Sequence, residues 1–371
     1  MSTFDDDHTA TVDAARAHAL HHAVDDHLAD YDLLVTEIKA DIEQGAQRAG
    51  APGACSWEVG TMTYVVTEPT LLDGVDDATY HGGLVRTPGP QTSQSALKLL
   101  IEPSTPREFQ WRLLNPEGPK RVFDVGRAAH TLVLGAGDPF SACPADRLSS
   151  DGKMTTLKAK AWAIGEREAG RTPLTPADYD AVHRMADAIL AHSRAAELFT
   201  DPARRPEVSA FCEIVPGLWL RSRFDLLGGD LVDFKSAADP HPDAFRRSAW
   251  NYGYHVQDVA YRRAWSLITG VDLPPMTFVV VGKEPPHLVG IYSLDGDFDS
   301  VGNAQLDAAL EVYLQQLDLH GLPTDTGVTW DGLPDSTEVL TPPAWALRDL
   351  NNKATEEAAE WLLSDLEGIM S

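Results

Sequence analysis

The sequence predicts an α/β (α+β) protein with a central mixed sheet flanked by helices. Stretches with apolar residues at helical spacing occupy much of the chain before residue 200. Three short stretches of alternating polarity follow, separated by Pro-Gly and Gly-Gly turns. A further helical stretch and a last pair of strands complete the pattern. Because a sheet must cover its apolar faces, this order predicts helices packed against a mixed sheet.

The composition indicates a folded protein. The 371-residue chain is 43% hydrophobic and has nine Trp residues, which suits one large domain with an extension or two domains. It has no run of eighteen apolar residues, and the start "MSTFDDDHTA" lacks a basic region followed by an apolar stretch. We therefore expect no membrane partner and a cytoplasmic location.

The cysteines argue against two kinds of metal site. Cys55, Cys143 and Cys212 form no CxxC pair, which excludes the common zinc and iron–sulfur spacings. We expect all three to be buried small hydrophobic residues.

The charge is distributed unevenly. The net charge is −26, which by itself argues against a nucleic-acid partner, since Lys and Arg carry phosphate binding. Residues 1–80 contribute −13 and residues 290–371 contribute −14, so the middle of the chain stands at +1. Any polyanion site should therefore lie in the middle.

The first part of the chain reads as an acidic extension. Helical spacing before Gly50 predicts one or two helices, and the alternation from Cys55 to Thr67 predicts a strand. An irregular stretch follows, so we place a domain boundary near residue 79.

Helices are predicted next. In "QTSQSALKLLIEPSTPREFQWRLL", Thr92, Ser93 or Ser95 could cap a helix that stops before Pro103. A second helix is predicted in "RVFDVGRAAHTLVLG", where Gly126 and His130 are four residues apart. Two longer helical patterns follow, the later one opening on a Thr-Pro start signal.

The pattern then changes to strands. "SAFCEIVP", "LWLRSRFDLL" and "DLVDFKSA" predict three strands, and "MTFVVVGKEPPHLVGIYSL" predicts two more around a Pro-rich turn. Between these groups, one helix is predicted from about Asp243 to Ile268, and it contains "YGYHVQDVAY".

The main chemical signal is "RFDLLGGDLVDFKSA". Asp225 lies near the end of one strand, and Asp233 and Lys235 are two apart on the next, so both side chains leave the same face. Burying such charges is costly unless they pair or bind a cation. Carboxylates are the ligands that Mg²⁺ prefers, and Mg²⁺ supports phosphodiester hydrolysis. Lys235 would orient or deprotonate a water, or stabilise developing charge. Ordinary surface charges are the alternative.

Two other residues could join this group. Glu213, one strand earlier, could supply a further carboxylate or could be an exposed strand residue. His130 follows the small-residue stretch "GRAAH" on an otherwise apolar helix, where a core histidine is the alternative.

The order of "GRAAH", Glu213, "RFD", "VDFKS" and "YHVQDVAY" resembles the exonuclease VIII (RecE) branch of the PD-(D/E)XK nucleases, which includes the RecB nuclease domain. The resemblance runs from about Tyr80 to Trp345 and includes "QSALKLL". It implies a restriction-endonuclease-like core over residues 80–346. Residues 1–79 would be an N-terminal helical extension of unknown role, and residues 347–371 an acidic C-terminal helix.

The resemblance also implies roles for single residues. His130, Asp225 and Asp233 would bind Mg²⁺, with Mn²⁺ as an alternative because imidazole is a ligand, and Lys235 would be the catalytic lysine. Gln257 and Tyr261 match a QxxxY element that helps to hold the active site and the DNA, and they share a helix face. Ser93 or Ser95, with Arg86, would bind a 5′ phosphate at a helix N-terminus. A plain N-cap explains the serines equally well.

The implied activity is degradation of one strand of linear double-stranded DNA, 5′ to 3′, from its ends. The resulting 3′ tails would pass to a RecT-like annealing protein for recombination, and a ring-shaped homo-oligomer would be consistent with processivity. The pairs Arg246–Arg247 and Arg262–Arg263 would line the DNA path or be solvated helix faces. Two rivals remain: an acidic, non-catalytic DNA mimic or partner-binding protein on the same fold, and an endonuclease or flap nuclease.

Overall fold

The structure, a computed structural model, describes residues 64–101, 103–115, 121–337, 339–343 and 348. The helices predicted in the first fifty residues, Cys55, and nearly all of the helix predicted over 347–371 lie outside this part of the chain. The chain divides into two compact units, of which one ends at Asp331 and the other begins at Gly332. Among the described residues, no helix is long and apolar enough to cross a membrane.

The strands form one large sheet and two small ones. The large sheet has seven strands in the order β11-β10-β9-β8-β7-β2, with β4 pairing along β8, while β1 pairs with β3 and β5 with β6. The strands are β1 (Tyr64–Val65), β2 (Thr70–Leu72), β3 (Val85–Arg86), β4 (Gln91–Ser93), β5 (Phe140–Ala142), β6 (Thr172–Leu174), β7 (Arg205–Val215), β8 (Leu218–Leu227), β9 (Leu231–Ala237), β10 (Thr277–Gly282) and β11 (Val289–Tyr292).

Helices lie between and after these strands. They are α1 (Asp77–His81), α2 (Gln94–Leu97), α3 (Pro106–Leu114), α4 (Arg121–Leu134), α5 (Leu157–Glu168), α6 (Pro176–Ala191), α7 (Ser193–Thr200), α8 (Pro242–Asn251), α9 (Tyr254–Thr269) and α10 (Gly296–His320), with 3₁₀ turns at Lys98–Leu100 and Ala145–Arg147.

Capping residues set the starts of several helices, and those at Ser93 and Thr175 were among the predicted ones. Ser93 accepts a hydrogen bond from the Ala96 amide at the start of α2. Thr105 and Glu108 form a reciprocal capping box on α3. Thr175, ahead of Pro176, caps α6. The helix expected to run up to Pro103 is instead one short α-helical turn continued by a 3₁₀ turn.

The single helix predicted from Asp243 to Ile268 is wrong, because the chain forms two helices there. Gly253 separates α8 from α9 with φ at 66°, in the left-handed region that glycine adopts without steric cost. The carbonyl of Tyr252 accepts a hydrogen bond from Lys98 at 3.2 Å. The break ends α8 at Asn251 and starts α9 at Tyr254.

The sheet is mixed and helices flank it, so the predicted fold class is confirmed. Strand β9 runs parallel to β10 and antiparallel to β8. On one face, α4, α6 and α7 pack on apolar residues that include Phe234 and Val279. On the other face, α8 and α9 cover a cluster that includes Phe224 and Phe278.

Strands β8 and β9 separate along their length. Their pairing consists of Leu226 with Val232 and Leu227 with Leu231, next to the Gly-Gly turn. Farther along β8, its neighbour on that side is β4, which pairs with Trp219–Arg221, while β7 occupies the other side. The separation leaves a gap in the sheet, into which side chains of β8 and β9 can project.

The boundary expected near residue 79 does not coincide with a structural break. Helix α1 spans that position, and β2 pairs with β7 of the large sheet. Val66 and Val75 are buried in one cluster with Tyr80 and Phe211. At the other end, the buried Trp330 stacks on Phe109 just before the unit ends at Asp331, ahead of the expected limit at 346.

Candidate active site

Strand β9 supplies a buried ion pair. Asp233 and Lys235 leave the same face, and Nζ of Lys235 lies 2.5 Å from Oδ2 of Asp233. The Asp233 side chain is only 1% exposed. Its Oδ1 accepts a hydrogen bond from Nε2 of Gln257 at 2.6 Å, and Oε1 of Gln257 accepts one from Lys235 at 3.3 Å. Gln257 therefore fixes both charged groups at once.

Asp225 lies across the gap on β8. Its Oδ2 accepts a hydrogen bond from the amide of Phe234 at 2.8 Å. Because β8 and β9 have separated here, the carboxylate satisfies a backbone donor that a neighbouring strand would otherwise pair. The contact fixes Asp225 beside Asp233, as the sequence pattern predicts.

His130 reaches the same place from α4. Its Nε2 lies 3.2 Å from Oδ1 of Asp225. Gly126, one turn earlier, allows the helix to lie close to β9, since a Cβ there would stand 3.3 Å from Oγ of Ser236. The structure thus brings His130, Asp225, Asp233 and Lys235 together.

Glu207 is a member of this cluster that the sequence reasoning missed. Its Oε1 lies 3.2 Å from Nδ1 of His130. The β7–β8 register pairs Pro206 with Leu226 and Val208 with Phe224, which sets Glu207 opposite Asp225. The predicted strand began only at Ser209, because a proline within a strand pattern weakens the assignment. The signal that could have found Glu207 is hairpin register counted back from Asp225.

Glu213, expected as an additional carboxylate of the site, does not reach the cluster. It is exposed near the other end of β7, where Oε1 accepts a hydrogen bond from the Gly217 amide at 2.7 Å. The residue stabilises the β7–β8 turn. Its carboxylate therefore has a structural role, and Glu207 takes the position near the site.

Mutual charge shifts the pKa values of these groups. Burial opposes charge on His130, but Asp225 and Glu207 outweigh it and raise the pKa of His130 to about 9. Burial raises the pKa of Glu207 to about 7 and, with the Asp225 charge, raises that of Asp233 to about 6. Although burial opposes it, the charges of Asp233 and Asp225 raise the pKa of Lys235, so the lysine is an ammonium at neutral pH.

Helix α9 closes the site on the opposite face of the sheet from α4. Gln257 and Tyr261 lie one turn apart and share a face, as predicted. Tyr261 packs edge-on against Phe224, and its burial raises its pKa well above the usual range. Nζ of Lys235 lies 4.7 Å from the centre of the Tyr254 ring, which adds a cation–π contact.

His255 and Asp258, also on α9, lie outside this arrangement. The His255 ring is hydrogen-bonded by the Ala249 carbonyl and Gln305. Asp258 pairs with Arg262 and accepts a hydrogen bond from the Met276 amide. Both residues therefore hold α9 in place.

Comparison with known proteins decides the family. The model of a family described as "PDDEXK-like domain of unknown function (DUF3799)" matches residues 93–328, which is more than half of the chain. The chain belongs to this family. It is therefore a PD-(D/E)XK nuclease in its fold, as the sequence resemblance indicated.

Two other comparisons add little to that assignment. One crystal structure that the chain matches comes from Eubacterium rectale and is described as a "Putative exonuclease", with 14% identity, a TM-score of 0.45, and coverage of 68% of this chain and 89% of that one. None of the curated proteins matches the chain.

PD-(D/E)XK nucleases generally use divalent metal ions, so we asked whether this site fits one. In the part of the chain that the structure describes, no three His, Cys, Asp or Glu side chains already converge as a metal centre. However, Oδ2 of Asp233, although 2.5 Å from the Lys235 ammonium, is buried and receives no well-aligned hydrogen bond. Carboxylate oxygens of Asp225 and Asp233 are the donors that hard divalent cations prefer. The donor chemistry therefore fits.

A pocket of about 260 Å³ opens beside Lys235. Its walls combine tyrosine rings, hydroxyls and cationic groups, namely Tyr80, Ser93, Gln94, Ser95, Lys98, Arg221, Lys235, Tyr252, Tyr254, Gln257 and Tyr261. Ser93 and Ser95 were predicted here, but α2 is only four residues long, and Oγ of Ser93 is occupied in capping it. Lys98 and Arg221, which the sequence reasoning did not select, supply the positive charge.

The arginines expected along a DNA path do not line this pocket. Arg86 is on the exposed edge of β3 and does not line the pocket. Arg246 and Arg247 are exposed on α8, and Arg246 pairs with Asp243 at 3.1 Å.

Arg262, also expected beside the DNA, is held by two carboxylates. It is 17% exposed and pairs with Asp258 at 2.8 Å and with Asp299 of α10. Its neighbour Arg263 pairs with Asp307 at 2.5 Å. Both arginines therefore link α9 to α10, which is a structural role.

Proposed function

We propose that the protein is a metal-dependent exodeoxyribonuclease that degrades one strand of linear double-stranded DNA. The observation that carries the proposal is the position of Asp225, Asp233 and Lys235 in the gap between β8 and β9, beside a cationic and aromatic pocket. Burying two carboxylates and an ammonium together costs desolvation free energy, and a catalytic role would explain why this cost is tolerated. The 5′-to-3′ polarity is proposed from the RecE-like motif order.

The proposed roles come from the motif resemblance, and the contacts around each residue support them. His130, Asp225 and Asp233 would hold Mg²⁺ or Mn²⁺, and the bound ion would supply Lewis-acid stabilisation of charge on a scissile phosphate. The ammonium of Lys235 donates hydrogen bonds to the attacking water or to the phosphate oxygens, since its raised pKa keeps it charged. A general-base role for Lys235 is disfavoured for the same reason. Gln257 orients the side chains of Asp233 and Lys235 through its two hydrogen bonds.

The pocket next to Lys235 suits a single DNA strand better than a duplex. Its volume of about 260 Å³ can admit part of one nucleotide. Lys98 and Arg221 offer charge to phosphates. Tyr252 is 59% exposed at the pocket, and an exposed aromatic ring can stack on an unpaired base. Entry of a single strand fits an enzyme that starts at DNA ends.

The products of such an enzyme are duplexes with 3′ single-stranded tails. These tails are the substrate of a strand-annealing protein of the RecT type, which we propose as the functional partner in recombination. A ring-shaped homo-oligomer that encircles the duplex is proposed as the processive form.

The decisive experiment compares linear duplex DNA with a covalently closed circle of the same sequence. We expect release of acid-soluble nucleotides from the linear DNA alone, in the presence of Mg²⁺ and not with a chelator. Cleavage of the closed circle at a similar rate would replace the exonuclease proposal with an endonuclease. No cleavage of any DNA with Mg²⁺ or Mn²⁺ would favour the non-catalytic alternative.

Substitutions at the site should give graded losses. Asp233→Ala and Lys235→Ala should each abolish cleavage of linear duplex while circular dichroism stays unchanged. Gln257→Ala should retain more activity, with a loss of roughly 10- to 100-fold, because it acts through its neighbours. Asp243→Ala is the matched control, since that carboxylate pairs with Arg246 on the exposed side of α8. Wild-type rates in both the Asp233 and Lys235 variants would contradict the assignment.

A further inference from the structure

Glu207 has a backbone conformation that its residue type rarely adopts. It lies within the eleven-residue strand β7, yet its φ is 53°. Non-glycine residues seldom occupy this left-handed region, and the strain persists only where the surroundings impose it. The same backbone position opposes Asp225 across the β7–β8 ladder. A strained residue at this place calls for an explanation in terms of what its side chain contacts.

The side chain is largely enclosed and directed at His130. It is 14% exposed, and Oε1 lies 3.2 Å from Nδ1 of the ring. Its other oxygen lies 3.5 Å from Arg223, which is itself paired with Asp77 at 2.5 Å. These contacts fix the carboxylate from both sides. His130 therefore lies between two carboxylates, with Glu207 at Nδ1 and Asp225 at Nε2.

This arrangement offers a carboxylate acceptor to each ring nitrogen, so the metal-free ring can hold both protons and a metal-bound ring must give one up. If Nδ1–H donates to Glu207, the neutral ring has its lone pair at Nε2, directed toward Oδ1 of Asp225 at 3.2 Å. Two lone pairs that face each other require a positive charge between them. In metal proteins, a ligating histidine commonly donates its other N–H to a carboxylate, which fixes the tautomer and orients the ring.

We infer that Glu207 is a positioning residue that holds His130 in the Nδ1–H tautomer, so that Nε2 and Asp225 together face the divalent cation. The inference rests on the proposed function, because His130 is a ligand only there. Glu207 itself contacts neither the cation nor the DNA. The strained backbone of Glu207 then places its carboxylate beside Nδ1 of His130, on the side of the ring opposite Asp225.

The test uses Glu207→Gly, because glycine adopts the observed φ without strain while removing the carboxylate. Mn²⁺ binding is measured by calorimetry on the full chain without DNA. We expect the affinity to fall roughly 10- to 100-fold, while the thermal unfolding midpoint stays at or above that of the wild type. Glu207→Gln should lose less affinity, since its amide oxygen can still accept from Nδ1–H. Glu213→Ala, a carboxylate removed from the same strand, should bind Mn²⁺ as the wild type does.

A spectroscopic signature separates positioning from plain structural support. The ¹⁵N shifts of the His130 ring are recorded with saturating diamagnetic Mg²⁺ in place of Mn²⁺, because the metal-free ring is protonated on both nitrogens at neutral pH. They should show a single neutral Nδ1–H tautomer in the wild type and a mixture of protonation states in Glu207→Gly. Wild-type Mn²⁺ affinity in Glu207→Gly, with affinity lost in His130→Ala, would overturn this inference alone. Unchanged affinity in His130→Ala would instead remove the ligand assignment on which it rests. Loss of the fold in Glu207→Gly would also overturn it, since the carboxylate would then be structural.

Discussion

Gln257 shows how a single neutral side chain can organise a charged site. Its amide donates to Asp233 with one atom and accepts from Lys235 with the other. An acidic residue at this position would add a third negative charge beside two buried carboxylates, and an apolar one would leave both partners unsatisfied. The amide satisfies both groups without adding charge. This requirement explains why the QxxxY element of α9 has a glutamine at position 257.

Protons and a metal ion should compete for the same donors at this site. The pKa of His130 is raised to about 9 by Asp225 and Glu207 against the effect of burial, so the metal-free ring is protonated at neutral pH. A cation binds only the deprotonated ring, so binding must release that proton. Raising the pH from about 7 to about 9 should therefore strengthen Mg²⁺ or Mn²⁺ binding by up to about tenfold per pH unit.

Calorimetry of Mn²⁺ binding without DNA, in buffers of different ionisation enthalpy, measures both the affinity and the protons released. His130→Ala should bind more weakly and show a shallower dependence on pH over the same range. An affinity independent of pH from about 7 to about 9 would contradict the assignment of His130 as a ligand.

At the scale of elements, close helix packing fixes α9 against the sheet. Gly302 of α10 faces α9, and a Cβ there would stand 2.7 Å from the carbonyl oxygen of His255 and 3.2 Å from Cγ1 of Val259. The two helices can approach this closely only because the residue has no side chain. Since α9 carries Gln257 and Tyr261, the packing of α10 sets the geometry of the site indirectly.

Gly302→Ala should therefore destabilise the protein by about 1–3 kcal/mol through overpacking, and it should reduce activity because α9 is displaced. Urea-induced unfolding measures the first effect. Gly296→Ala on the same helix is the control, since nothing lies within 4 Å of its Cβ position, and it should stay within about 0.5 kcal/mol of the wild type. Equal stability of the two variants would show that α9 and α10 tolerate a wider separation.

Prediction from sequence succeeded where the residues concerned lie on one strand or one helix, because their spacing then fixes which face they share. Asp233 and Lys235 share a strand face because of the two-residue period, and Gln257 and Tyr261 share a helix face at a spacing of four. The break at Gly253 was missed because the apolar pattern continues across it, so periodicity alone predicts one helix. Glu207 was missed because its role depends on the register between two strands and on a helix that lies far away in sequence.

At the scale of the whole molecule, a strongly acidic chain has a pocket lined by basic side chains. The net charge is −26, while the pocket beside the site is lined by Lys98, Arg221 and Lys235. Arginines that could have broadened a basic surface, such as Arg262, are paired with carboxylates instead. We therefore expect DNA binding to depend on few phosphate contacts.

The salt dependence of DNA affinity should accordingly be weak. With two or three phosphates neutralised, a plot of log affinity against log salt should have a slope of about −2 to −3, compared with about −10 for a strongly basic binder. Fluorescence anisotropy of an end-labelled duplex with the Asp233→Asn variant, in the presence of a chelator, measures the slope. Lys98→Gln should reduce its magnitude by about 1, while Arg246→Gln, on α8, should leave it unchanged. A slope steeper than about −6 would indicate an extended basic surface that includes the α8 arginines.

The sequence by itself determined the fold class, the family resemblance, and the residues of β9 and α9 that we propose carry the chemistry. These follow from spacing within single elements and from the order of motifs, which the chain records directly. The tertiary structure decided that Glu207 rather than Glu213 lies beside His130, that Lys98 and Arg221 rather than Arg86 line the pocket, and that Arg262 is a structural residue. Those relations join elements distant in sequence, and they depend on strand register and helix packing, which the local pattern of residues does not specify.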